Sequence, residues 1–177
     1  MPFSRLLRQS AGEAPVERLY EAIVAQARAP AFYARLGVPD TLDGRFDMIA
    51  LHVFLALRRL KAEGEGGRAL AQALCDRFFA DLDRSLREMG AGDLGVGRRV
   101  KAMAQAFYGR VAAYEAALNE DDAALVEALR RNLFGTVAPS AEAISAVAGY
   151  VRREAAALVA QPHAALAAGR ITFGALQ

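Results

Sequence analysis

The sequence has no tryptophan, one cysteine, two histidines and only two lysines, Lys61 and Lys101, among its 22 basic residues. A lone cysteine, Cys75, excludes an intramolecular disulfide and any multi-cysteine metal centre, and suits a reducing compartment. The scarcity of histidine removes the Glu-x-x-His pairs that di-iron helical bundles require, because neither His52 nor His163 stands in such a pair. Long apolar runs are also missing. The longest stretch free of Asp, Glu, Lys and Arg, 155–169, contains Pro162 and is too short to span a bilayer. The opening Met1–Arg8 carries two cations without a following apolar region, so no secretory signal is expected.

What is present is a chain of 177 residues, 54% hydrophobic and 24% charged, well outside the disordered range. Such a length supports one hydrophobic core, and no linker divides it, so a single domain over 1–177 is expected, with 1–14 as a flexible start. The net charge of +2 is too small and too dispersed for wholesale wrapping of nucleic acid, and DNA is not an expected partner.

Apolar residues return at spacings of three and four, while strict alternation is nearly absent. The expected fold is an all-α bundle of about six to seven helices. A first helix should start at Pro15 and end before Pro30, followed by a short piece over 32–36. A helix over about 45–62 is apolar nearly all round and should be central. Glu63–Gly67 reads as a loop, Leu70 to Met89 as the fourth helix, and Gly90 to Gly97 as the next connection. A long helix to Leu118, a short one through Leu125, Leu129 and Leu133, and a last one opening at Pro139-Ser140 complete the series.

Several segments imitate functional motifs. Gly90-Ala91-Gly92-Asp93-Leu94-Gly95 has the spelling of a dinucleotide-binding loop, but it follows a helical pattern where the motif requires a strand, so a helix-to-helix connection is expected. Asp76, Asp81, Asp83 and Glu88 form an acidic run. The Asp83–Arg87 and Asp81–Arg84 spacings favour a solvated, ion-paired face over a metal site. Arg98, Arg99 and Lys101 stand early in a helix, where the macrodipole disfavours cations, so they should meet intramolecular acids such as Asp93 or Glu88, or an anionic partner. His52 lies within the central helix and reads as a core histidine with a hydrogen-bond partner. No serine, cysteine or carboxylate has the context of a nucleophile, so no catalytic residue, metal or cofactor is expected.

The ordered series Gly44-Arg45-Phe46-Asp47, Leu51-His52, Leu57-Arg58-Arg59-Leu60, Phe78-Phe79-Ala80-Asp81-Leu82-Asp83, Leu86-Arg87-Glu88-Met89-Gly90, Phe107-Tyr108-Gly109-Arg110 and Ala113-Tyr114 resembles the ubiquinol-cytochrome c chaperone family, best over residues 38–118. The resemblance implies a non-enzymatic, cytoplasmic bacterial assembly factor for the cytochrome bc1 complex, with peripheral contact at the cytoplasmic face of the inner membrane. Its implied client is newly made cytochrome b, and mitochondrial members add a small partner protein and the ribosome near its tunnel exit. On this reading the client surface is built around Phe46, Asp47, His52, Met89, Gly90, Tyr108 and Tyr114. The competing reading is a ribosome- or RNA-binding module using Arg58, Arg59 and Lys61 together with Arg98, Arg99 and Lys101.

Overall fold

The structure is a computed structural model that describes residues 3–88 and 93–176, with side chains described from residue 14 and, after the 89–92 connection, from residue 95. Among the described residues there are six long helices and two single-turn ones, and no strand. They are α1 (Phe3–Ala27), α2 (Pro30–Ala34), α3 (Leu42–Lys61), α4 (Glu65–Glu88), α5 (Asp93–Leu118), α6 (Asp122–Asn132), α7 (Ala141–Val159) and α8 (His163–Ala167). The all-α expectation holds.

Helix α3 is the axis of the bundle and packs against α1, α4, α5 and α7. It starts three residues before the expected position because the Thr41 hydroxyl caps it, accepting a hydrogen bond from the Gly44 N–H at 3.1 Å. Every residue from Met48 to Ala56 is buried. Asp43 lies in its first turn and Arg58, Arg59 and Lys61 in its last, an arrangement that suits the helix dipole. Ser140 and Asp121 cap α7 and α6 in the same way, accepting from Ala143 N–H at 3.1 Å and Ala124 N–H at 2.9 Å.

Three further boundaries differ from the sequence reading. Helix α1 begins at Phe3, and Pro15 lies inside it instead of opening it. Proline favours a first-turn position, because in a helix interior it removes one N–H and its ring crowds the carbonyl four residues earlier, so the interior placement goes against its local preference. Helix α4 begins at Glu65, which puts Gly66 and Gly67 inside a helix where a loop was expected. A Cβ at Gly67 would collide with the Leu60 carbonyl oxygen, so glycine there allows α4 to fold back tightly on the end of α3. Helix α5 begins at Asp93, so Gly95 and Gly97 are helical where a connection was expected.

The main core joins α1, α3, α4, α5, α6 and α7 around Phe32, Phe54, Phe78, Phe107, Tyr114 and Tyr150. A second, smaller cluster at the far end of the α4–α5 hairpin consists of Leu82, Leu86 and Val96, with Phe46, Phe79, Val100 and Met103 packed against it. Phe46 and Phe79 border both clusters and tie the hairpin end to the main core.

Two glycine substitutions should separate the packing role from the propensity cost. Gly67→Ala should destabilise the protein by about 1–3 kcal/mol through overpacking. Gly97→Ala, at an exposed helical position with nothing within 4 Å of the added carbon, should stabilise it by roughly 0.5–1 kcal/mol. Urea denaturation midpoints check both, and equal shifts would contradict the helix placement.

Candidate functional site

A cleft of about 500 Å³ opens between the start of α3, the middle of α5 and the connection after α6. Phe46, Met103, Ala102, Ala106 and Leu133 give it apolar walls, and Asp47, Arg110 and Arg131 contribute its charges. Two of the sequence blocks converge here, since Asp47 ends the Gly44–Asp47 block and Arg110 ends the Phe107–Arg110 block. The Arg110 guanidinium lies 2.8 Å from Asp47 Oδ1, and its Nε donates to the Asn132 carbonyl at 3.2 Å. The approach to Asp47 lacks hydrogen-bond alignment, so Oδ1 stays buried without a hydrogen-bond partner. Burial pushes the Asp47 carboxyl up to about 7, with repulsion from Asp43 adding to it and the Arg110 charge opposing it. A half-buried carboxyl poised near neutrality in a cleft is the kind of group that ligand sites exploit.

Tyr114 lies within the electrostatic reach of Asp47 and Arg110, and its hydroxyl is the other buried side-chain atom without a hydrogen-bond partner among the described residues. Burial holds that hydroxyl well above the usual phenol range. Tyr114 itself is 0% exposed and packs on Phe54 with ring centroids 5.6 Å apart. It is therefore a core residue and not part of an outer contact surface.

His52 is likewise 0% exposed, which corrects its placement on the client surface. Its Nδ1 donates to the Met48 carbonyl at 2.8 Å, since that oxygen can only accept. Its Nε2 then accepts from the Tyr150 hydroxyl at 2.8 Å, and Tyr150 accepts from Gln26 Nε2 at 3.0 Å. Phe32 and Phe173 stand edge-on to the imidazole at 5.6 and 5.2 Å. Burial lowers the imidazole to about 4, so it is neutral at physiological pH. The reading of His52 as a core histidine with partners is what the geometry shows.

The remaining aromatics form a chain. Phe46 stacks on Phe78 at 5.6 Å, Phe78 meets Phe107 at 5.2 Å, and Phe107 meets Tyr108 at 5.4 Å. Only Tyr108, 57% exposed, reaches solvent fully. Phe46 and Tyr108 are thus linked through the interior and do not share one open face. Met89 and Gly90 lie outside the described residues. Sequence reasoning overlooked Arg110, Met103 and Leu133 as cleft residues, although Arg110 stood in a quoted block.

The basic patch at 58–61 does not exist as an open surface. Arg58 pairs with Glu115 at 3.1 Å, and Arg59 is buried, paired with Glu63 and donating to the Leu158 and Gln161 carbonyls at 2.7 and 2.8 Å. Those carbonyls close α7, where unsatisfied acceptors attract a cation. Only Lys61 remains exposed. Arg98, Arg99 and Lys101 are exposed and make no ion pair among the described residues, and the Asp93 side chain, one of the expected acids, lies outside those residues. The acidic run is an ion-paired face, with Arg87 Nε–Asp83 at 2.6 Å and Arg84–Asp81 at 2.5 Å. Cys75 is half-buried and its thiol is pushed up to about 11 by burial, so it is a poor nucleophile. Among the described residues no group of three or more His, Cys, Asp or Glu side chains could hold a metal ion, and no helix is long and apolar enough to cross a membrane.

These burials predict opposing pH effects. The folded His52 value near 4 lies below the ordinary 6.5, so the unfolded chain binds the extra proton in that interval and stability rises with pH through it. Asp47 acts with the opposite sign between 3.8 and about 7, where the folded carboxyl keeps a proton that the unfolded one loses. Asp47→Asn should therefore steepen the rise of stability with pH, and a urea-midpoint profile parallel to the parent's would contradict this. Tyr114→Phe should stay within about 1 kcal/mol of the parent, whereas Tyr114→Ala should cost about 3–5 kcal/mol.

The profile of the family described as ubiquinol-cytochrome C chaperone matches residues 34–173, well beyond the 38–118 region that carries the sequence resemblance. The crystal structure of the Cbp3 homolog from Brucella abortus superposes with a TM-score of 0.86 at 46% identity, covering 99% of this chain and 98% of that one. Ubiquinol-cytochrome-c reductase complex assembly factor 1 of Xenopus laevis is 26% identical over 137 residues, 77% of this chain and 68% of its own length. The yeast Protein CBP3, mitochondrial, is 31% identical over 119 residues, 66% of this chain and 36% of its own length. The chain thus spans between about a third and two-thirds of the length of these two relatives. Nothing in these similarities supports the ribosome- or RNA-binding alternative, whose patch at 58–61 is already consumed internally. With four-fifths of its residues matched by one profile, the chain belongs to the ubiquinol-cytochrome c chaperone family.

Proposed function

We propose that this chain is an assembly factor for the cytochrome bc1 complex, respiratory complex III, and that it works as a non-catalytic chaperone holding newly made cytochrome b. The observation that carries the reading is the match to a Cbp3 homolog along 99% of the chain at 46% identity, so the whole architecture around the cleft is shared. The cleft supplies the physical means. Its apolar walls offer shelter to a segment destined for a membrane, and the half-buried Asp47–Arg110 pair at its side meets one polar group of that segment. Phe46, Asp47, Met103 and Arg110 receive the client, Tyr108 is an outer aromatic anchor, and His52 and Tyr114 keep the scaffold rigid behind them.

Work of this kind takes place where cytochrome b enters the membrane, which puts the protein at the cytoplasmic face of the inner membrane. A chaperone acts through reversible burial of apolar surface and needs neither nucleophile nor cofactor.

Deleting the gene should remove the b-type haem absorbance of the membranes and the cytochrome b protein together, and the intact gene should restore both. Ala106 is exposed and lines the cleft, so Ala106→Glu should fold normally by circular dichroism yet reduce co-purification of cytochrome b by about tenfold or more. A deletion strain with normal bc1 complex would refute the assembly role, and full capture by the Ala106→Glu protein would move the client elsewhere.

A further inference from the structure

Two further cavities adjoin on the other side of Phe46. One is an apolar well of about 160 Å³ between α3, α4 and α5, walled by Phe46, Ile49, Phe78, Leu82, Leu86 and Met103. The other is a more open cleft of about 540 Å³, lined by Tyr33, Asp40 and Pro30 among others. Arg28 and Arg45 line both, so the apolar well and the open cleft adjoin at two cationic side chains. Leu42 stands at the same rim and is 53% exposed, one of few large apolar side chains left in water.

The charges around the mouth are unevenly matched. Asp81 is covered by Tyr20 at 2.9 Å, Arg77 at 3.3 Å and Arg84 at 2.5 Å, and Glu17 is held by Arg77 at 2.6 Å. Asp40 pairs with Arg45 at 2.6 Å. Arg28 is exposed and makes no ion pair among the described residues, so one positive charge at the mouth is left without a counter-charge.

An apolar well that opens past cations into a wider polar space has the form of a site for an amphiphile with an anionic head. We propose that this paired cavity binds one anionic membrane lipid, with part of an acyl chain in the well and the phosphate between Arg28 and Arg45. The well has room for about five water-sized volumes, enough for a short length of hydrocarbon and far too little for a helix. Leu42 extends the apolar contact outward, and the guanidinium groups provide charge-assisted hydrogen bonds to phosphate oxygens. The site shares Phe46 and Met103 with the neighbouring cleft, but it does not depend on cytochrome b as the client of that cleft.

The test uses the purified chain titrated with dihexanoyl phosphatidylglycerol below its micellar concentration, followed by the methyl NMR signals of Ile49 and Met103. Dihexanoyl phosphatidylcholine and inorganic phosphate serve as comparisons. Saturable shifts at both residues are expected, with phosphatidylcholine binding about tenfold more weakly. Arg28→Gln, a change at an exposed position, should weaken phosphatidylglycerol by about tenfold and leave phosphatidylcholine unchanged. Ser85→Trp adds bulk at a residue that lines the well while leaving both cations in the sequence, and should weaken both lipids; Leu42→Ser replaces it if that variant fails to fold. Equal binding of the two lipids, full affinity in Arg28→Gln, or the same shifts with phosphate alone would overturn the assignment. So would binding confined to bilayer vesicles without shifts at Ile49 and Met103, or a well that takes an apolar peptide and no lipid. Because the titration contains no cytochrome b, its failure leaves the assembly role to be judged by the deletion strain.

Discussion

The enclosure of α3 from Met48 to Ala56 leaves no solvent-facing row on which a polar side chain could sit, so His52 has to satisfy both ring nitrogens inside the protein. It does so in one direction only. Gln26 donates to Tyr150, Tyr150 donates to His52, and His52 donates to the Met48 carbonyl, which fixes a single neutral tautomer and ties α1, α3 and α7 together. The last residues of the chain close over the same group. Phe173 packs edge-on to the imidazole, and the Gly174 N–H and C=O are held by Glu154 at 2.9 Å and Gln26 at 3.0 Å. A buried network of this kind is costly if any member is left unpaired, and here each of its side chains has a partner.

The axis is saturated with internal contacts, and the two clefts and the well described above lie where helices diverge around its first turns. Phe46 and Met103 line both the Asp47–Arg110 cleft and the apolar well, so these two cavities share a wall. The α4–α5 hairpin end that forms the outer side of the well has its own small cluster, joined to the main core through Phe46 and Phe79. A region with few buried contacts opens more easily than the axis does, which suits sites that must admit and release other molecules. Rigidity is therefore concentrated at His52 and Tyr150, and access at Phe46.

Polar chemistry follows the same division. Arg59 and Glu154 are spent inside, on carbonyls and N–H groups that end α7 and the chain terminus. Asp47, by contrast, keeps an oxygen without a hydrogen bond, and Arg28 keeps its charge without an acid among the described residues. Unsatisfied groups beside cavities mark the places where a ligand can contribute what the fold withholds.

Helical class, the order of the long helices, the opening of α7 at Ser140 and the ion pairs of α4 were legible in the sequence, because each depends on residues within about one turn of one another. The central place of α3 was legible too, from its apolar residues on all sides. What periodicity could not tell is which aromatic or polar residue of such a helix meets another helix and which meets water. His52 and Tyr150 stand 98 positions apart, and only the packed bundle shows that they consume each other's hydrogen-bonding capacity. Tyr108 and Tyr114 read alike along the chain, yet one is 57% exposed and the other enclosed. Arg58 and Arg59 looked like a basic patch until α5 and α7 brought Glu115 and the last carbonyls of α7 to them. Local sequence determined that helices form and which side chains they carry. Tertiary packing alone decided which of those side chains were left over for other molecules, since burial and pairing are set by neighbours distant in the chain.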